Sequence, residues 1–279
     1  MLELQAQAEP WLAKSLSPDA GPECQSQELV DWLVDQNVVS RFQSDVLVSS
    51  SISGQAAKFS YGGYRLVDQL PENTGQPDGR STSYRAIHWR TKFSVKLQFF
   101  GGQDAGDLMR WQQVESDCRE LAKIDHPNLL ACFEPVTIRR YRFIAIEDPV
   151  GKTLAELLPR KGRLPVDRVG DLLCQLASAL NTLHQHGIAH GDVKSQKVWL
   201  CSADRVQLEV GFGSESATFA DDVGSLGQLA FRILTGREVE DFPGGERTKM
   251  EKYETPWLSD LIMAMLGENR RLDIKDVVN

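Results

Sequence analysis

The chain has 279 residues, 41% hydrophobic and 25% charged, which is ordinary globular composition and enough for one large or two small domains. A formal charge of −8 disfavours general attraction to nucleic-acid phosphates. No run approaches the roughly 20 apolar residues that a bilayer-spanning helix needs, and Met1-Leu2-Glu3 opens a stretch with acids and prolines where a signal region would be basic and then apolar. Nucleic-acid and membrane partners are therefore not expected. The five cysteines, at 24, 118, 132, 174 and 201, are odd in number and lack Cys-x-x-Cys spacing, which fits reduced thiols in the cytoplasm better than zinc or a disulfide framework.

In chain order, Pro10, Pro18, Gly21 and Pro22 break the N-terminal stretch before two short amphipathic segments. Ser26 to Gln36 carries Leu29, Val30, Leu33 and Val34 on one side, and Ser40 to Val48 carries Phe42, Val46 and Leu47. Ser49 to Gly54 reads as a linker. From Tyr64 the period becomes two: Leu66 and Leu70, then Tyr84 to Trp89, then Phe93, Val95, Leu97 and Phe99 alternating with Ser94, Lys96 and Gln98. This alternation predicts antiparallel strands with Ser94 and Lys96 opposite the apolar set. A helix is predicted from about Asp107 to Ile124, with Val114, Asp117, Cys118 and Leu121 on one face, before Asp125-His126-Pro127-Asn128. Arg142-Phe143-Ile144-Ala145-Ile146-Glu147-Asp148-Pro149 follows, a stretch that resembles the last N-lobe strand and the hinge of a protein kinase. A long helix enters at Pro165, shows Val169, Leu172, Leu173, Leu176, Leu180 and Leu183 at helical spacing, and ends at Gly187.

Next come His190-Gly191-Asp192-Val193-Lys194-Ser195-Gln196-Lys197, then Val210-Gly211-Phe212-Gly213, then Asp222-Val223-Gly224-Ser225-Leu226-Gly227. In this order they resemble the catalytic loop, metal-binding loop and central C-lobe helix of a protein kinase. Trp32 to Leu47, followed by Tyr61-Gly62-Gly63-Tyr64-Arg65-Leu66, resembles the helical leader of some bacterial Ser/Thr kinases. The resemblance covers about residues 61 to 279 and closes with Arg271 at the place of a structural arginine. It implies an α+β, bilobal protein-kinase-like fold: a leader and linker over 1–60, a small antiparallel N-lobe with one main helix over 61–148, and a larger helical C-lobe over 149–279. It also implies roles for individual residues. Lys96 would be the lysine that grips nucleotide phosphates, Asp117 its helix partner, and Asp192 the base. Ser94, Ile146, Glu147, Pro149 and Trp199 would be counterparts of the nucleotide pocket, and Lys197 and Gly211 would sit at the two metal-ligand positions. Leu121, Cys132, His190 and Phe212 would belong to the hydrophobic column between lobes, with Asp222 anchoring its base.

The departures from the family pattern point one way. Of the base and the two metal ligands, only the base Asp192 survives. Eight residues separate Gly213 from Asp222, too few for a phosphosite-bearing segment ending in Ala-Pro-Glu, and Gly191 replaces an arginine that would bind a phosphorylated one. The connection Pro71 to Ser83 has two glycines at the wrong spacing, two prolines without N–H groups and two acids, which is no phosphate cradle. An ammonium at Lys197 would repel a cation, and is expected either to pair with Asp192 or to lie exposed. Glu209 is weighed as a substitute metal ligand and set aside. An indole at Trp199, burying on the order of 200 Å², would fill the space of adenine, and Pro149 removes a hinge donor. The histidines 184, 186 and 190 follow the kinase approach to its catalytic loop, so their spacing needs no metal. The expectation is a pseudokinase with an occluded nucleotide pocket, binding ATP and magnesium weakly or not at all. It would act through a protein partner, such as an active kinase or a second copy. The alternatives are a divergent Ser/Thr kinase using Lys96 and Asp192, and a metal-independent nucleotide sensor.

Overall fold

The structure, a computed structural model, describes residues 31, 33–35, 40–45, 60–70, 81–100, 105–138, 141–201, 205–212, 217–238, 256–267 and 273–278. Most of the first expected leader helix, the 49–54 linker, the 71–80 connection, Gly213 and Arg271 lie outside these residues. The chain packs as two compact units, residues 1–71 with 82–95, and residues 72–81 with 96–279.

In the first unit, β1 (Ser60–Tyr61) turns into β2 (Tyr64–Gln69) through Gly62 and Gly63. Both have positive φ, 52° and 91°, as a two-residue hairpin turn of matching twist requires. β2 pairs antiparallel with β3 (Ser81–His88) from Tyr64↔His88 to Gln69↔Tyr84, with a bulge between Leu66 and Asp68. The second leader segment is helical at 41–45. Ser40 and Gln43 cap its start reciprocally: Gln43 N donates to Ser40 Oγ at 3.2 Å and Ser40 N to Gln43 Oε1 at 3.1 Å. The same two side chains donate to main-chain carbonyls of β2, Ser40 Oγ to Val67 O and Gln43 Nε2 to Leu66 O, and the Phe42 ring meets Tyr84 at 5.5 Å. The segment 40–45 is thus fastened to the sheet by its capping residues.

β4 (Ser94–Phe100) leads into the second unit, where it lies beside β6 (Tyr141–Glu147), itself paired antiparallel with β5 (Val136–Ile138). Helix α1 (Ala105–Leu121) sends Trp111, Val114, Cys118 and Leu121 into the same core as Ile144 and Ile146. The strict alternation expected of β4 does not hold. Val95, Lys96, Leu97 and Gln98 are all buried, so both faces of the strand are covered, and Phe93 is 68% exposed instead of facing inward.

After β7 (Lys152–Thr153), helix α2 (Leu154–Lys161) starts at a capping box of Thr153 and Glu156. Helix α3 (Val166–Gln185) follows Pro165 and buries eight residues, among them all six apolar positions read from its period. β7, β8 (Val198–Leu200) and β9 (Val206–Leu208) form a small antiparallel sheet. Helix α4 (Phe219–Thr235) is capped by Thr218 and Asp221, ends at Gly236, and packs against α3 and α5 (Pro256–Leu266), while α6 (Ile274–Val278) rests on α3. Among the described residues no helix is long and apolar enough to cross a membrane.

Gly227 is where α4 and α5 come closest: a Cβ there would stand 2.8 Å from Met265 Cβ. Gly227→Val should therefore cost about 1–3 kcal/mol by overpacking, read as a lower urea midpoint. A midpoint equal to that of the wild type would mean the helices yield freely.

Candidate active site

The site is built in the second unit around one carboxylate. β8 and β9 run with Val198 opposite Leu208 and Trp199 opposite Gln207, and Glu209 N donates to Lys197 O at 2.8 Å, which extends the register by one pair. Lys197, Trp199, Gln207 and Glu209 therefore share one face of this hairpin. On it, Lys197 Nζ reaches Glu209 Oε1 at 2.6 Å and the Trp199 indole N–H donates to Oε2 at 3.2 Å. From β4, Lys96 Nζ meets the same Oε1 at 2.7 Å. Glu209 is fully buried and Lys96 nearly so.

Burial alone would raise the Glu209 carboxyl, but the two ammonium groups outweigh it and hold the group down at about 2. Lys96 is lowered by burial, against the opposing pull of Glu209, with the neighbouring Lys197 charge adding to the lowering.

The loop from His190 to Lys197 hangs from a second buried acid. Asp222, on α4, accepts His190 N at 2.7 Å on Oδ2 and Gly191 N at 2.8 Å on Oδ1, and Oδ2 also receives His184 Nε2 at 2.8 Å. Gly191 takes φ 70°, the left-handed conformation that glycine adopts at least cost. His190 points Nε2 at Glu209 O, 2.9 Å away, and Asp192 N approaches its Nδ1 at 3.2 Å. Nε2 is then the protonated nitrogen, and burial lowers the imidazole against the opposing pull of Asp222 and the Glu209 carbonyl. Asp192 itself is partly exposed and pairs with Lys194 at 2.7 Å.

The two expected ion pairs come out differently. Lys96 pairs with Glu209, while Asp117 accepts from Gln113 Nε2 at 2.8 Å one turn back on α1, and burial raises its carboxyl. Lys197 likewise pairs with Glu209 and not with Asp192. Ser94 is exposed at the start of β4. Ile146 is fully buried, and Glu147 N donates to Ala131 O at 2.8 Å, with the part-buried Pro149 two residues on. Leu121 and Cys132 lie in the core, Phe212 packs against it, and His190 is buried. Cys132 Sγ stands 3.2 Å from Cys118 Sγ, and this contact together with burial pushes its thiol far above the usual range. At Gly211 a Cβ would come within 2.5 Å of His190 O, so the backbone of the two loops meets where a side chain would begin. No group of three or more His, Cys, Asp or Glu suited to a metal occurs among the described residues.

The residue missed as a lysine partner is Glu209. Its signal lay in hairpin register: once Val198 is set opposite Leu208, Lys197 and Glu209 become cross-strand neighbours.

A family model described as protein kinase domain matches residues 79–218, half of the chain. This chain belongs to the protein kinase domain family. Among curated proteins, this kinase-family chain is 29% identical over 165 residues to serine/threonine-protein kinase PknL of Mycobacterium tuberculosis, covering 58% of this chain and 41% of PknL. It is 26% identical over 149 residues to serine/threonine-protein kinase PknH of the same organism, covering 53% of this chain and 24% of PknH. The match thus spans less than half the length of these relatives. The kinase-like α+β architecture described above is the one the family model carries.

Removing Glu209 would leave two buried ammonium groups without their counter-charge. Glu209→Ala should cost on the order of 3–5 kcal/mol. The carboxyl is near 2 when folded against an ordinary 4.5, so its share of stability is present above about pH 4.5 and is lost as pH falls toward 2. That share is on the order of 3 kcal/mol, partly offset by the penalty on buried Lys96. Urea unfolding of wild type and Glu209→Gln at pH 6 and pH 3 checks this: the gap between them should narrow at pH 3, and a gap independent of pH would contradict the pairing.

Proposed function

We propose that this chain is a pseudokinase, a protein-kinase-family member that has given up phosphoryl transfer and acts by binding another protein. The observation that carries the reading is that Glu209 engages both Lys96 and Lys197 within one buried cluster. The lysine that would hold nucleotide phosphates is committed to an internal ion pair, and a fixed ammonium stands at one of the metal-ligand positions.

Magnesium requires oxygen ligands in near-octahedral array, and the donor set here does not suit it. Lys197 offers a cation, Gly211 offers no side chain, and the space in which a Gly211 side chain would start is taken by His190 O. No transfer step is written through such an ion. Trp199 is half-buried with its indole N–H turned to Glu209; on this reading it takes the floor position of the adenine pocket, and Pro149 withholds a hinge N–H. ATP and magnesium are accordingly taken to bind weakly or not at all. α4 begins only seven positions after Phe212, which leaves little chain for a substrate platform. The partner would be a protein, such as an active kinase or a second copy, and an odd number of cysteines without Cys-x-x-Cys spacing favours a cytoplasmic setting.

One observation keeps a second reading in view. Two ammonium groups face one carboxylate, so the cluster carries an excess positive charge that could meet phosphate without a metal, as in a nucleotide sensor.

Thermal unfolding with millimolar ATP, with and without magnesium, separates these readings, because a ligand that binds the folded state raises Tm. No shift is expected. A shift without magnesium would favour the sensor. A shift that requires magnesium, with radiolabel transfer lost in Asp192→Asn, would establish a divergent kinase.

A direct attempt to rebuild the metal site is the complementary test. Lys197→Asn with Gly211→Asp should give a less stable protein and no magnesium-dependent nucleotide binding, since the aspartate must displace the His190 carbonyl. Recovery of such binding would show that the loops part readily.

A further inference from the structure

In the first unit, the connection from β3 to β4 is a tight turn whose tip is exposed from Trp89 through Ser94. Its shape is fixed by hydrogen bonds: His88 N donates to Phe93 O at 3.0 Å, Lys92 N to His88 O at 2.9 Å, and Trp89 N to Gly63 O at 2.9 Å. His88 Nδ1 takes part as well, 2.9 Å from Thr91 Oγ1 and 3.3 Å from Thr91 N. On this rigid tip Trp89 is 57% and Phe93 68% exposed, with Arg90 and Lys92 between them. The Arg90 guanidinium lies 5.1 Å from the Trp89 ring centroid. Lys92 has φ 64°, the only positive value on a non-glycine residue among those described. A turn that glycine or asparagine would suit best carries a lysine there instead.

We propose that this tip docks on an anionic lipid surface, with Trp89 and Phe93 entering the headgroup region and Arg90 and Lys92 meeting lipid phosphate and carboxylate. Aromatic side chains favour the membrane interface, where an apolar ring and a polar neighbour are both satisfied. Cations beside them are drawn to acidic lipids. A protein partner fits the tip less well. A stable protein interface needs about 800 Å² on each side, whereas two partly exposed aromatic residues, each burying on the order of 150–250 Å² at most, fall well short. The chain's charge of −8 does not prevent docking. Charges farther than a Debye length of about 8 Å from the lipid are screened, so the charges of the tip itself weigh most at the surface. Such contact is peripheral and differs from the spanning segments whose absence led to the expectation of no membrane.

Cosedimentation of the full chain with vesicles of equal parts phosphatidylserine and phosphatidylcholine, and of phosphatidylcholine alone, tests this. Binding to the acidic vesicles that weakens with salt is expected, together with a blue shift of tryptophan emission that Trp89→Phe removes. Each cation near an acidic surface is worth about a fivefold change in partition. Arg90→Glu with Lys92→Glu should therefore weaken binding by at least about 25-fold. Lys92→Gly should weaken it about fivefold while leaving Tm unchanged or higher, since glycine eases the left-handed φ. Phe93→Ser, at an exposed position, should lose binding with little change in Tm. A wild-type chain that stays in the supernatant, or a charge-reversed variant that binds as tightly, overturns the proposal.

Discussion

A fully buried carboxylate cannot remain ionised without counter-charge, since an isolated buried charge costs many kcal/mol. Glu209 meets that condition with three donors, Lys96 from β4, Lys197 from just before β8, and the Trp199 indole. The condition runs in both directions, because Lys96 is itself nearly buried and would lose its charge if Glu209 were neutral. Strand β4, the β8–β9 hairpin and the start of the following loop are therefore held in one arrangement by a cluster that is stable only when complete. The register of β8 against β9 places Lys197 and Trp199 on the face that Glu209 occupies, so backbone pairing and side-chain charge select the same geometry.

The second buried acid does different work with the same physics. Asp222 has one carboxylate oxygen on His190 N and the other on Gly191 N, while His184 closes on it from α3. The loop is thereby fixed to helix α4. His190, held at its N–H, can aim Nε2 at the carbonyl of Glu209, which links the loop anchor to the charge cluster through one imidazole. Positioning of this region rests on Asp222 and His190, while its electrostatics rest on Glu209.

Much of this was legible in the sequence, and for identifiable reasons. Helix α3 announces itself through Val169, Leu172, Leu173, Leu176, Leu180 and Leu183, because a 3.6-residue period survives without tertiary information. The protein-kinase resemblance rests on short motifs whose spacing is local, and the family match bears it out. Strand β4 was harder. Alternation assumes one wet face, and Lys96 is buried by a partner 113 positions away in sequence, which no local pattern records. Phe93 reads as part of the same alternation but belongs to the turn, where the strand has not yet begun. Asp117 matched a family position in the linear sequence, yet Gln113 lies one helical turn back on its own helix and takes its carboxylate. Glu209 lies two residues before Gly211, where a metal-ligand role is weighed and set aside, and its pairing with both lysines emerges only once those lysines are placed.

Lys197 and Gly211 make physical sense only together with Glu209. A lysine beside a divalent cation would be repelled, and a lysine buried alone would lose its proton. With Glu209 opposite it across the hairpin, Lys197 becomes the internal counter-charge of a closed cluster. Gly211 then lets the following backbone settle against His190 O at a distance no side chain would permit. Replacing either residue singly with an oxygen-bearing side chain would break this arrangement: an asparagine at 197 removes half of the positive charge on Glu209, and an aspartate at 211 meets a carbonyl. The positive charge that answers Glu209 is covalently built in, and its position is set by strand register.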